Sequence, residues 1–310
     1  MGVNSTRGYI VIIIAAILWA SSASAGKALF QTGISPMELV QIRVTLSAIF
    51  IGIFFGIFRR TLLPIRLKDL FYFILLGGIA MAMVQVSYFY AISKIQVSAA
   101  ILLQYLGTIL IAAYSIAFWH ERLTAAKIAA LFLAMGGCFL VVGGYDLHLL
   151  EMNRGGIAWG LISAVSFAGY TLLGERGLHR YSPWTVIFYA FLFAALTLNV
   201  LHKPTGYLQT TYNPAQWGWI LYIVIIGTII PFGLYLVGVS YIRSTRASIV
   251  AILEPVSAAL IAFFALGEIL HPLQIIGGIS AIVAIVLLQL QREHDEMAPE
   301  LIRRHKKKGE

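Results

Sequence analysis

Apolar runs of about twenty residues recur along this chain, and polar residues collect in the short stretches between them. The runs fall near 8–30, 36–58, 68–92, 96–119, 124–143, 154–178, 182–202, 216–241, 245–267 and 271–290. Each is long enough to cross the ~30 Å hydrocarbon core of a bilayer as an α-helix. None alternates with the period of two that a membrane strand needs, so a β-barrel is excluded. The pattern predicts an all-α integral membrane protein with ten transmembrane helices. Short connections make successive helices antiparallel neighbours.

The spans divide into two five-helix halves, residues 1–147 and 148–290, followed by a basic tail at 291–310. The punctuation of the halves agrees at one shift of 147 residues: Ser35-Pro36 with Ser182-Pro183, Tyr88 with Tyr235, Ser93 with Ser240, Ala100 with Ala247, Glu121 with Glu268, and Leu123 with Leu270. Five is odd, so the second half enters the membrane from the opposite side. The expected architecture is two inverted five-helix repeats (5+5), a transporter plan whose site lies between the halves. The first run, "VIIIAAILWASSASAGK", follows Arg7 and holds Ala23-Ser24-Ala25, a signal-peptide-like cleavage pattern. An uncleaved helix is the reading that preserves the repeat.

Composition agrees with the pattern. The chain is 60% hydrophobic and 11% charged, with a mean hydropathy of +0.87, against about 25% charged for a soluble domain. Its single cysteine, Cys138, excludes a disulfide framework and reads as a small buried hydrophobe. The net charge of +9 does not point to nucleic acid, because the basic residues sit in loops between apolar runs. With the N-terminus inside, 17 Lys and Arg fall on inner segments and 4 on outer ones (Lys27, Lys94, Arg154, Lys203). That bias predicts a multi-pass protein of the cytoplasmic (inner or plasma) membrane with both termini in the cytoplasm. The closing "RRHKKKGE" reads first as a solvated tail, and it can also meet anionic lipid heads.

The chemistry is sparse. His120, His148, His179, His202, His271, His294 and His305 lie at helix ends, in loops or in the tail, so none is a mid-membrane base or haem ligand. No acid pair has metal-ligand spacing and no P-loop is present. The chain reads as no enzyme, with no cofactor and no metal. What remains is polar side chains on single faces of apolar helices, which should face the bundle interior or a wet cavity. The first helix carries Trp19 and Ser22, the third Gln85 and Tyr88, and the fourth Gln104, Tyr105 and Thr108. The sixth carries Trp159, Ser163, Ser166 and Tyr170 on one stripe, the eighth Thr228, Pro231 and Tyr235, and the ninth Glu254, Pro255 and Ser257. The serines compete with a plain packing role.

Two full charges lie deep, Arg43 and Glu254. Arg43 is read as structural, hydrogen-bonding carbonyls between helices. Glu121 and Glu268 read as structural helix-end markers. Glu254 is a candidate substrate ligand or proton carrier, and Pro255 frees a backbone carbonyl beside it, as Pro231 does in the eighth helix. With Thr108, these prolines are candidate hinge positions.

The stretches "SAAILLQYLGTILIAAYSIAFWHERLT" (98–124) and "ASIVAILEPVSAALIAFFALGEILHPLQIIGG" (247–278) resemble the paired motifs of the drug/metabolite transporter (DMT) superfamily, specifically its EamA-type members. "ILWASSASAGK" (17–27) and "ISPMELVQIR" (34–43) extend the resemblance over nearly the whole chain. It implies a cavity lined mainly by helices one, three, four, six, eight and nine, with five and ten at the periphery. It also implies alternating access, commonly with efflux of small metabolites. Two positions depart from the pattern: Thr108 stands where proline is usual, and His120-Glu121 replaces the usual Gly-Glu.

The expected function is a secondary transporter exporting amino acids or related amphipathic compounds, with the bilayer and a small-molecule substrate as partners and a proton as candidate coupling ion. An importer or proton-coupled exchanger of a cationic amine or nucleoside-like solute is the alternative within transport. A non-transport subunit or enzyme is the alternative outside it. A homodimer stays open.

Overall fold

A computed structural model describes residues 5–122, 124–145, 153–203, 205–266, 271–290 and 298–308. Glu268 and Leu270, members of two of the repeat pairs, lie outside the described residues. The membrane helices are α1 (Ser5–Gln31), α2 (Pro36–Phe58), α3 (Leu67–Lys94), α4 (Val97–Trp119), α5 (Ala125–Val141), α6 (Arg154–Leu178) and α7 (Pro183–Leu201). A continuous stretch, Pro214–Ala251, then turns back on itself at Arg243, which leaves the helical region with φ 63° and ψ 171°. This divides it into α8 (214–242) and the start of α9 (244–266). α10 (Pro272–Leu290) and a short tail helix α11 (Pro299–Lys308) follow. Among the described residues no strand occurs. Ten crossings put the start of α1 and the end of α10 on one side of the bundle, called the terminal face below.

Local chemistry sets the helix ends. Ser35 caps α2 through a capping box with Glu38, and Pro36 supplies the preset φ of a first helical residue. Ser182 and Pro183 open α7 in the same way, the hydroxyl accepting from the Trp184 amide. α4 ends at His120 in the left-handed conformation, φ 51°. A glycine takes that conformation freely, which gives the His-Glu departure a backbone meaning.

The packing repeats in the two halves. α1 lies along α8 while α6 lies along α3, and α9 packs on α1 while α4 packs on α6. α2 faces α7, and α5 faces α10. Each contact in one half has its partner under exchange of the halves, so the architecture is the 5+5 inverted repeat. Close approaches need small residues. A Cβ on Gly107 of α4 would lie 2.4 Å from the Ala164 carbonyl of α6, and one on Gly137 of α5 would lie 2.6 Å from the Gly277 carbonyl of α10. α10 exposes Ile275, Ile276, Ile279, Ile282 and Val283 away from the bundle, as a lipid-facing peripheral helix does.

Four of the central helices are irregular. α3 is wound as a π-helix over Ile74–Met81, and α8 over Ile225–Ile229, directly before Pro231. α9 breaks regular helix at Ile252, before Pro255, and α4 breaks at Leu106 with no proline at all. Thr108 therefore stands next to a break without causing one.

Candidate functional site

A proline N–H is missing from the helix ladder, so the carbonyl four residues earlier loses its partner. In hydrocarbon that carbonyl must be satisfied from elsewhere. Both prolines behave so here. Pro231 releases the Gly227 carbonyl, which accepts from Arg43 Nη2 at 3.2 Å. Pro255 releases the Ala251 carbonyl, which accepts from the Tyr105 hydroxyl at 2.6 Å. α2 and α4 of the first half are thereby stitched to α8 and α9 of the second.

Around these two stitches the polar side chains converge. Tyr105 Oη also lies 2.8 Å from Glu254 Oε2. Arg43 donates from Nε and Nη2 to Thr228 Oγ1, at 3.0 and 2.7 Å, and its guanidinium lies 4.5 Å from the Phe89 ring centre. Thr228, within the π-wound turn, in turn donates to the Ile223 carbonyl just before that turn, at 2.7 Å. None of the Arg43 bonds uses Nη1. Ser163 donates to Gln104 Oε1 at 2.7 Å.

A cavity of about 30 Å³ lies between these groups. Trp19 and Ser22 of α1, Arg43 of α2, Val84, Gln85, Tyr88 and Phe89 of α3, Gln104 of α4, Phe167 of α6, Gly227 and Phe232 of α8, and Glu254 of α9 line it. The Trp19 Nε1 and Tyr88 Oη are buried on its walls without a hydrogen-bond partner among the described residues. Gln85 finds only the Met81 sulfur, at 3.4 Å. Unpartnered polar atoms are costly in such a place, and a bound polar molecule would satisfy them. The void holds one or two waters, so side chains must part to admit a metabolite.

The expected site residues divide accordingly. Trp19, Ser22, Gln85, Tyr88, Gln104 and Glu254 meet at the cavity. Tyr105 and Ser163 stand behind it as supports. Tyr235 packs behind Trp19, ring centres 5.4 Å apart, with its hydroxyl 3.1 Å from Thr171 Oγ1. Tyr170 is buried against Phe232, and neither its hydroxyl nor that of Thr108 has a hydrogen-bond partner among the described residues. Ser257 is buried but does not reach the cavity wall. Ser166 bonds back to the Ile162 carbonyl of its own helix at 2.7 Å, off the cavity. The α6 stripe is thus split between core and periphery. Phe89, Phe167 and Phe232 complete the cavity and were not legible, because apolar rings carry no signal in an apolar run, whereas Thr228, on the polar stripe of the eighth helix, supports Arg43 from behind.

Larger hollows exist; one of about 660 Å³ at the terminal face is lined by Asp69, Tyr72, Arg176, His179 and Tyr181, but no candidate substrate-binding residue reaches it. Another, about 710 Å³, is a groove walled by Phe50, Phe54, Phe55 and Trp184 and flanked by Ile225 and Ile229. Its walls are mainly apolar, with Arg59, Thr61 and Ser182 at one end, and no candidate substrate-binding residue lines it. The small polar cavity is therefore the candidate site.

At the terminal face two buried carboxylates grip the α8–α9 connection. Glu175 of α6 accepts from Arg243 Nε at 3.0 Å, from the Ser244 amide at 2.7 Å, and from the Ser244 hydroxyl. Glu121 accepts from Thr245 Oγ1 at 2.9 Å and pairs with Lys127 Nζ at 3.1 Å. Arg243 and Arg246, counted among the loop charges, are both buried. In the α6–α7 connection Tyr181 donates to Asp69 at 2.7 Å, and burial pushes its phenol above the usual range. Arg303 of α11 donates to the Tyr181 carbonyl.

A model of the EamA-like transporter family matches the chain twice, over residues 6–143 and 154–290. An uncharacterized transporter of Archaeoglobus fulgidus is 29% identical over 246 residues, covering 78% of this chain and 86% of that protein. The uncharacterized inner membrane transporter YicL of Salmonella typhimurium is 26% identical over 293 residues, covering 93% and 96%. The threonine/homoserine exporter RhtA of Escherichia coli K12 is 25% identical over 281 residues, covering 89% and 88%. A crystal structure 18% identical in sequence superposes with a TM-score of 0.72 over 92% of this chain and 97% of that one, a likeness of fold alone.

Proposed function

The chain belongs to the EamA-like transporter family, and from that premise we propose that it exports small amino acids or related amphipathic compounds across the cytoplasmic membrane by alternating access. The observation that carries this reading is the pair of opposite charges on one cavity, Arg43 from the first half and Glu254 from the second. They are not bonded to each other: Glu254 meets Tyr105, and Arg43 meets Thr228 and Gly227. A zwitterion set between them offers a carboxylate to Arg43 Nη1 and an ammonium to Glu254, with aromatic walls for its carbons. Each buried charge then gains a counter-charge, which lowers the cost of holding it in the membrane. A purely cationic amine would meet the Arg43 charge in the same space. The name of the RhtA relative, an exporter of threonine and homoserine, supports the same class. That the relatives are named transporters supports a role other than enzymatic.

The proton is the coupling ion in this reading. Tyr105 has one hydrogen but two acceptors, the Ala251 carbonyl at 2.6 Å and Glu254 Oε2 at 2.8 Å. A proton on Glu254 completes the chain: carboxyl to phenol, phenol to carbonyl. The bias of 17 basic residues against 4 supports placing the terminal face in the cytoplasm.

Purified protein in proteoliposomes tests this by counterflow of a panel of labelled amino acids and amines under an imposed pH gradient. Saturable flux of neutral amino acids is expected, driven by the gradient. Glu254→Gln is expected to weaken counterflow, because an amide pairs the ammonium less well than a carboxylate, and to leave the remaining flux without a response to the gradient. Saturable flux of amines alone, or of nothing in the panel, would overturn the reading.

A further inference from the structure

The two halves treat equivalent helix connections differently. Under the 147-residue shift the α8–α9 connection at Arg243 corresponds to Gln96, between α3 and α4, and Glu175 corresponds to Ala28. On the terminal face the connection is buried: Arg243 is 6% exposed and Glu175 1%. The Glu175 carboxylate takes three donors from two successive residues, two of them on Ser244. The Arg243 guanidinium also lies 5.8 Å from the Trp119 ring centre, so α4, α6 and the connection are drawn together. On the opposite face Gln96 is exposed, although Ile95 beside it is buried, and among the described residues one side-chain hydrogen bond reaches the connection: Lys27 Nζ donates to the Ile95 carbonyl at 3.0 Å.

The backbone adds to the contrast. Arg243 stands at φ 63° in a region almost reserved for glycine. Surroundings must hold such a residue in place, and Glu175 contributes on both sides of the turn, bonding the side chain of Arg243 and the amide of the next residue, with Glu121 on Thr245 beyond. Without that carboxylate the turn has every reason to relax.

We propose that Glu175, gripping Arg243 and Ser244, is the latch that keeps the terminal face shut, so that the empty transporter opens its cavity to the opposite face. Glu175 touches no substrate; it is a positioning residue that biases one of two exits. The inference rests on the alternating-access reading above but not on the identity of the substrate. Export then has a defined difficult step, the unlatching of the face from which substrate loads.

Side-specific labelling tests it without any substrate. In a Cys138→Ala background, Ser22→Cys places a thiol on the cavity wall, and a membrane-impermeant maleimide is applied to one face at a time. The reporter is expected to react from the opposite face at least about tenfold faster than from the terminal face. Glu175→Gln keeps the shape but removes the charge, and is expected to raise the terminal-face rate about tenfold, the order of effect of losing one charge-assisted hydrogen bond. Ser244→Ala, a milder change, is expected to raise it less, and Lys27→Met not at all. Rates are taken per molecule of monodisperse protein. The latch is overturned if the reporter reacts equally from both faces, or if Glu175→Gln and Ser244→Ala leave the terminal-face rate unchanged, whatever they do to thermal stability. A reporter that reacts from neither face overturns alternating access itself and the latch with it. Failure of amino acid flux beside normal labelling removes only the substrate reading.

Discussion

Pro231 and Pro255 each remove one backbone donor, and in each case a side chain from the other half of the molecule replaces it. The loss is legible in sequence, since any proline within a helix frees the carbonyl four residues back. The replacement is not, because nothing in the chain near Tyr105 says that its hydroxyl ends on Ala251, 146 residues away. Tyr105→Phe should therefore cost about 1–3 kcal/mol by leaving a buried acceptor unmet, read as a lowered unfolding temperature in detergent. Pro255→Ala in the same chain should recover part of that loss, because an alanine amide can bond the Ala251 carbonyl again. Equal losses with and without Pro255 would refute the pairing. His120 makes a second case. Its left-handed backbone, φ 51°, costs a non-glycine residue about 1–2 kcal/mol, so His120→Gly should raise thermal stability, and a fall would show that the imidazole holds the turn.

Among the elements, the ten spans were readable because a bilayer demands about twenty apolar residues per crossing, and α1 to α10 lie close to the runs that predict them. The 147-residue shift was readable too, from helix starts and ends. The internal irregularities were only half readable. Pro255 announces a break in α9, whereas α4 breaks at Leu106 without proline, and the π-wound turn of α3 has no proline beside it. Close helix contacts are likewise ambiguous, since a glycine in an apolar run looks the same whether or not it touches anything. Gly136 and Gly137 show this: a Cβ on the first meets nothing within 4 Å, and on the second it meets the Gly277 carbonyl at 2.6 Å. Gly137→Ala should lower the unfolding temperature by prising α5 from α10, while Gly136→Ala should leave it unchanged. Equal effects would refute this packing.

For the whole molecule, the inverted repeat supplies near-symmetry and a few residues break it. Glu254 answers to Gly107 in the first half, Glu175 to Ala28, and Arg243 to Gln96. The first exception gives the cavity its acid, and the other two close one face more firmly than the other. The charge bias makes a prediction at this scale. A reporter fused after Lys308 and a thiol introduced at exposed Arg60 should both be reached from the cytoplasmic side, and a thiol at Gly33 from the outside. Any other distribution would invert the proposed orientation. The central void has a consequence of its own. At about 30 Å³ it is walled by packed rings and offers no water-filled passage. A bilayer studded with this protein should stay electrically tight at rest: its conductance should match that of the bare lipid, and charge should cross only with a completed turnover.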